Sequence, residues 1–161
     1  MKEFSIPLLS KYERPIIELY KLPTLIDTGA LIPVVSMFPV LLEKYFDFKI
    51  ILPKEFVAGF GTGAVYSLAE FKVGELTFTG FEVFVPEEPR LKFPFLLSAT
   101  LFHGMAYEVD TINQKFTVRM QDDQPLERDF KIREIRGELL PQIDGVLIQD
   151  ADIFLKPYIF F

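Results

Sequence analysis

One short segment of this chain carries the residues best suited to chemistry, namely Leu25-Ile26-Asp27-Thr28-Gly29-Ala30. The apolar pair before Asp27 predicts a buried strand that ends at the carboxylate. Thr28 adds a hydroxyl beside that carboxylate, and Gly29, which has no side chain, permits close approach of another backbone or of a substrate. Asp, Thr and Gly are also common turn residues, so a plain polar turn is the alternative interpretation.

The size and composition of the chain limit the function classes that fit it. Its 161 residues suit one domain, or one domain with an appendage. Half of the residues are hydrophobic and 18 are Phe, which is enough for a core with a surplus for an interface, so we expect self-association. The net charge of −6 and the scattered Lys and Arg argue against a nucleic-acid partner. The chain has no Cys, which excludes thiol nucleophiles, disulfides and thiolate metal sites.

The lengths of the apolar segments predict where the protein is located. The first seven residues do not contain the long apolar stretch of a signal peptide. No run approaches the length needed to span a bilayer. We therefore expect a soluble, cytoplasmic protein with no membrane partner.

Short apolar and β-branched runs, separated by Gly, Pro and polar residues, predict a mainly β protein. The predicted strands are residues 15–20, 22–27, 64–73, 76–85, 107–110 and 115–119. Two short helices are expected, at residues 36–46 and 95–102, because Pro39 is tolerated in a first turn and Gly104 would stop the second helix.

The composition changes at Gln121, where a polar hinge begins. The remaining residues alternate charged and apolar pieces without clear periodicity. We therefore divide the chain into a domain at residues 1–120 and a C-terminal extension at residues 121–161. The extension ends in the apolar residues 157–161, which are predicted to pack on the same domain or on a second subunit.

Taken together, these motifs resemble those of the retropepsin-like aspartic proteases, over roughly residues 15–119. The segment at 25–30 matches the catalytic loop of that family. Residues 96–102 are similar to a late apolar segment of the family, with Ser98 where the family usually has Gly. A glycine-rich run stands where the family has its flap, Gly59-Phe60-Gly61-Thr62-Gly63.

The resemblance implies a closed, barrel-like β domain with one or two short helices, and catalysis by two carboxylates that share one proton. The chain supplies one Asp-Thr-Gly motif. Asp144 lacks the following Thr and lies too soon after Asp27 to begin a second lobe, so we interpret residues 143–145 as a turn. A symmetric homodimer, with Asp27 from each subunit at the two-fold axis, is therefore expected.

The same resemblance assigns roles to individual residues. Asp27 would be catalytic, Thr28 would hydrogen-bond to the partner loop, and Gly29 would accept the substrate backbone. Ala30 and the glycine-rich residues 59–63 would bind an extended polypeptide substrate. No metal and no organic cofactor is implied.

Other functions remain open from the residues alone. A non-catalytic dimeric module that binds peptides or proteins would keep the same fold, and Ser98 and the C-terminal extension favour it. The run at residues 59–64 is close to a dinucleotide-binding fingerprint with Glu82 about 20 residues on, but the short strands around it do not fit a Rossmann domain. His103, the single His, is interpreted as a C-terminal helix cap, because no Gly-x-Ser-x-Gly elbow supports a catalytic triad.

Overall fold

The computed structural model describes residues 2–45, 48–58, 61–88 and 92–149 and shows a mainly β protein. The mainly β prediction is thereby confirmed. The strands are β1 (Lys2–Pro7), β2 (Ile16–Leu19), β3 (Leu22–Asp27), β4 (Val34–Val35), β5 (Phe48–Ala58), β6 (Gly61–Leu68), β7 (Phe71–Val73), β8 (Leu76–Pro86), β9 (Phe95–Ser98), β10 (Ala106–Asp110), β11 (Lys115–Met120), β12 (Glu127–Ile135), β13 (Glu138–Ile143) and β14 (Val146–Leu147). The described residues also form one α-helix, α1 (Pro39–Leu42), and one 3₁₀ helix (Ala99–Phe102).

Most strands belong to one large sheet, in the order β14-β13-β12-β8-β4-β9-β3-β2. The β5–β6 hairpin and β7 join this sheet through β8. A second sheet has the order β1-β11-β10 and meets the first at a bridge between Leu8 and Ile17. The closed barrel implied by the resemblance stays a prediction.

Strand β9 lies between β3 and β4, although it follows both in the chain. It pairs in parallel with β3, with Ser98 opposite Asp27, and antiparallel with β4, with Leu96 opposite Val34. The two strands that flank the Asp-Thr-Gly segment are thus joined through a third. This insertion fixes where the chain enters and leaves the segment.

Five buried phenylalanine rings and the exposed ring of Tyr20 form a group that we call the aromatic cluster. Its members are Tyr20, Phe71, Phe78, Phe81, Phe95 and Phe130. The ring of Phe71 stacks on Phe81 at 4.1 Å and on Phe95 at 5.3 Å between centroids. Because these rings come from β7, β8, β9 and β12 and from the turn after β2, the cluster ties distant parts of the large sheet together.

Several local predictions are confirmed by the strand pairing. The two predicted strands before the motif are β2 and β3, which pair antiparallel. Gly74 has a φ of 58° and turns the chain between β7 and β8, where a glycine accepts that conformation without strain. Residues 111–114 connect β10 and β11 as a hairpin. Of the predicted helix at 36–46, the helix α1 covers four residues.

The predicted helix at residues 95–102 is wrong. Residues 95–98 form the fully buried strand β9, and only Ala99–Phe102 are helical, as a 3₁₀ turn. A strand buried on both faces reads as a continuous apolar run, and periodicity cannot distinguish such a run from a buried helix.

Part of the predicted C-terminal extension belongs to the large sheet. β12 pairs in parallel with β8, from Glu127 opposite Thr77 to Phe130 opposite Phe81, and β13 and β14 follow as antiparallel strands. The residues predicted to pack as an apolar terminus, 157–161, lie outside the described residues.

Candidate active site

Asp27 stands at the carboxyl end of β3, where a buried apolar strand reaches the surface. Leu25 and Ile26 before it are buried, whereas Asp27 and Thr28 are half-buried and Gly29 is exposed. The N–H of Gly29 donates to Asp27 Oδ1 at 2.9 Å. Among the described residues, Oδ2 accepts no hydrogen bond. One carboxylate oxygen is therefore fixed by the backbone, while the other remains available to a water or a partner.

Gly29 has more room within its own subunit than a glycine requires. A Cβ added there would lie 3.5 Å from Asp27 Oδ1, an ordinary van der Waals distance, and the φ of Gly29 is not in the left-handed region. No described residue of the subunit therefore demands glycine at this position. Ala30, the next residue, is buried, and its N–H donates to the Asp27 carbonyl at 3.5 Å.

The far end of the segment is held from behind by buried hydroxyl groups. We call residues 27–31 the site loop. The Thr100 hydroxyl donates to the Leu31 carbonyl at 2.8 Å, and its oxygen lies 2.7 Å from the hydroxyl of Ser98, which is fully buried. Since the single hydroxyl proton of Thr100 is engaged by Leu31, Ser98 is the donor in that pair. Ser98 thus has both space and a hydrogen-bond partner in this fold.

The glycine-rich run is not brought next to Asp27 by the strand registers. Gly61, Thr62 and Gly63 begin β6, whereas Gly59 and Phe60 lie outside the described residues. Gly63 pairs with Pro86, beyond the carboxyl end of β4, whereas the site loop enters β4 at its amino end. A cover over Asp27 would require the β5–β6 hairpin to bend back over the sheet.

Gly63 also has a clear packing role. A Cβ at this position would collide with the Val85 carbonyl, the Pro86 backbone and the Phe84 ring. Its glycine is therefore explained by the close contact between β6 and β8. The dinucleotide-binding alternative fails here, because the residues after Gly63 continue as strand β6 and not as a helix.

Apolar side chains remain exposed shortly after the site loop. They are Phe38 (53% exposed), Val40 (69%), Leu41 (42%) and Tyr45 (40%). They lie on and beside α1, which follows β4 directly. The sequence predicted an apolar surplus for an interface but did not assign it to this segment.

Sequence reasoning also missed the residues that support the site loop. Thr100, Leu31 and Arg128 were not singled out, although Thr100 follows Ser98 by two residues, which signals a hydroxyl pair once β9 is known to end there. Of the predicted turn at residues 143–145, Asp144 and Gly145 form the turn, with φ values of 50° and 83°, whereas Ile143 is the last residue of β13. The backbone N–H of His103 caps the 3₁₀ helix by donating to the Thr100 carbonyl at 3.2 Å.

Within residues 2–45, 48–58, 61–88 and 92–149, no helix is both long and apolar enough to cross a membrane. In the same ranges, no group of three or more His, Asp or Glu side chains is placed to hold a metal ion. No protein-family model matches this chain, and neither a curated protein nor a solved structure shows significant similarity to it.

Proposed function

We propose that this chain is the subunit of a homodimeric aspartic endopeptidase of the retropepsin-like type. The observation that carries the proposal is the geometry of the Asp-Thr-Gly segment. It places a half-buried carboxylate at a strand end, with one oxygen held by the Gly29 N–H and the other available. The inserted strand β9 supports the proposal further, because it pairs with β3, which leads into the site loop, and with β4, which follows it.

Hydrolysis requires a second carboxylate, which the partner subunit would supply. Two Asp27 carboxylates a few ångströms apart share one proton, because they cannot both ionise cheaply. The ionised one accepts a proton from a water whose oxygen attacks the peptide carbonyl carbon, while the protonated one stabilises the carbonyl oxygen. The C–N bond then breaks as the amide nitrogen receives a proton, which releases a carboxylic acid and an amine. No acyl-enzyme forms.

Gly29 fits this arrangement for a reason that its own subunit does not provide. Because a Cβ would be accommodated there, the glycine is best explained by a backbone that approaches from outside, either the partner loop or an extended substrate. Thr28, half-buried in the same turn, would contact the partner loop in such a dimer. The exposed apolar residues around α1 supply surface that a dimer would bury.

The remaining assignments follow from the same proposal. Ala30 and residues 59–63 would bind an extended polypeptide, the latter by covering it after the β5–β6 hairpin bends. A cytoplasmic location also stays a prediction. No residue role in this proposal involves a metal or an organic cofactor.

The test is cleavage of a diverse peptide mixture by the full chain, read by mass spectrometry from about pH 4 to pH 7, where a carboxylate pair is singly ionised. Asp27→Asn should abolish every cut while the fold and the dimer persist. Asp123→Asn, in an exposed loop, is the matched control and should leave cleavage unchanged.

Sedimentation at micromolar concentration completes the test. A monomer that still cleaves, or cuts that survive Asp27→Asn, would refute the shared-proton mechanism. A folded dimer that cuts nothing would favour the non-catalytic binding module.

A further inference from the structure

Arg128 is a buried cation whose hydrogen bonds converge on the 3₁₀ helix. Its side chain is 7% exposed. Its Nη1 donates to the Leu101 carbonyl at 3.1 Å, and its Nη2 donates to the His103 carbonyl at 2.7 Å. A buried guanidinium is tolerated only when its donors are satisfied, so the site is specific for this side chain.

Asp144 neutralises and orients this arginine. Its Oδ2 accepts from Arg128 Nε at 2.9 Å, while its Oδ1 accepts from the Asp129 N–H at 2.8 Å. The backbone N–H of Asp144 donates in turn to the Asp129 carbonyl at 2.8 Å. The turn after β13 is thus locked to β12, and Arg128 is held in one position. We call Arg128, Asp144 and the two carbonyl groups the polar junction.

The 3₁₀ helix lies between this junction and the site loop. The residue before Leu101 is Thr100, whose hydroxyl holds the Leu31 carbonyl. The residue before Ala99 is Ser98, which pairs in register with Asp27. Six consecutive residues, 98–103, therefore contain both the carbonyls that Arg128 binds and the groups that contact the two ends of the site loop.

We propose that Arg128, held by Asp144, is a positioning residue for Asp27. It fixes the 3₁₀ helix so that Thr100 and Ser98 hold the site loop in the geometry that brings two carboxylates together. This inference rests on the proposed function. Catalysis by paired groups is sensitive to such positioning, because a displacement of about 1 Å can lower the rate by about 100-fold. In the competing interpretation, Arg128 only anchors residues 127–147 and has no effect on the site.

The first test compares steady-state peptide cleavage by the full-length variants Arg128→Met, Arg128→Lys and Ile132→Ala. Ile132 is buried on the same strand but does not bond to the 3₁₀ helix, so it controls for lost stability. Each variant is assayed at a temperature where urea titration shows that it is folded.

Arg128→Met should lower kcat by about tenfold or more, with a smaller change in KM, because the displaced loop carries the reacting carboxylate but only part of the substrate contact, at Gly29 and Ala30. Arg128→Lys, which keeps the charge, should recover part of kcat, and Ile132→Ala should retain it. Equal kcat values in Arg128→Met and the wild type, or an equal loss in Ile132→Ala, would overturn the proposal. Should Arg128→Met fail to fold, Asp144→Asn takes its place with the same expectation.

The second test does not depend on activity. Amide NMR signals of residues 28–31 should shift in Arg128→Met and exchange faster with solvent, and they should stay in place in Ile132→Ala. Changes confined to residues 101–105 and 127–145 would overturn the positioning role even in an active protein. If the wild type did not cleave peptides but Arg128→Met still shifted the signals of residues 28–31, the proposed peptidase activity would be refuted and the coupling between Arg128 and the site loop would stand. The two failures are therefore distinguishable.

Discussion

Two residues of β12, only two positions apart, belong to opposite kinds of packing. Phe130 joins the aromatic cluster, where rings contact one another across five parts of the large sheet. Arg128 forms the polar junction, where three donors meet three oxygens at 2.7 to 3.1 Å. Apolar contact scales with area and tolerates small shifts, whereas hydrogen bonds weaken steeply with angle and distance. The cluster therefore supplies stability, and the junction and the neighbouring hydroxyls supply position.

The largest effect should come from removing the ring at the centre of the aromatic cluster. Phe71→Ala should lower the free energy of unfolding by about 3–5 kcal/mol, because a fully buried ring stacked on Phe81 and Phe95 leaves a cavity that a sheet cannot fill. Urea denaturation measures this loss. Ile112→Ala, at a side chain that is 91% exposed between β10 and β11, is the control and should change stability by less than about 0.5 kcal/mol.

An effect of Phe71→Ala as small as that of Ile112→Ala would contradict this account of the aromatic cluster. Stability would then have to reside mainly in the polar contacts.

The sequence predicts features that depend on neighbouring residues better than features that depend on residues far apart in the chain. The hairpin between β7 and β8 could be anticipated because Gly74 and its neighbours act locally. Asp27 could be anticipated because a strand and a turn are visible on either side of it. Such features need only nearby residues.

The features that were predicted wrongly or missed depend on contacts between residues far apart in the chain. Residues 95–98 become a strand because β3 and β4 lie on either side of them, which no local pattern reveals. Arg128 gives no signal at all, because arginines are usually exposed and its partners come from 16 to 27 residues away in the chain. The support of the candidate site is thus less predictable than the site itself.

A smaller effect is expected at the buried hydroxyls behind the site loop. Thr100→Val should lower the free energy of unfolding by about 1–3 kcal/mol, because it leaves the Leu31 carbonyl and the Ser98 hydroxyl without partners. Ser98→Ala should cost about 1 kcal/mol or less, since Thr100 still donates to Leu31. The double variant should lose less than the sum of the two.

The hydroxyl pair between Ser5 and Thr117, also 2.7 Å apart, offers a matched control in the second sheet. Thr117→Val removes a similar contact but none that reaches the site loop. If Thr100→Val and Thr117→Val changed the exchange of the Gly29 amide equally, the hydroxyls behind the loop would have no special part in positioning it.

The smallest effect is expected at Glu82, an acid that links β8 to β12. Glu82 accepts the Ile132 N–H at 2.8 Å, and burial raises its pKa above the ordinary value despite that hydrogen bond and the nearby Lys131. A raised pKa in the folded state means that folding favours the protonated acid, so this contribution is present at low pH and is lost as pH rises through the folded pKa. Glu82→Gln keeps an acceptor for Ile132 but never ionises.

Relative to the wild type, Glu82→Gln should therefore gain stability between about pH 4 and pH 7, as urea denaturation at the two values would show. The exposed Glu138→Gln is the control and should show no such gain. If Glu82→Gln were instead equally stable relative to the wild type at both pH values, burial would not govern this acid, and the polar contacts along β12 would resemble surface contacts more than the fixed junction at Arg128.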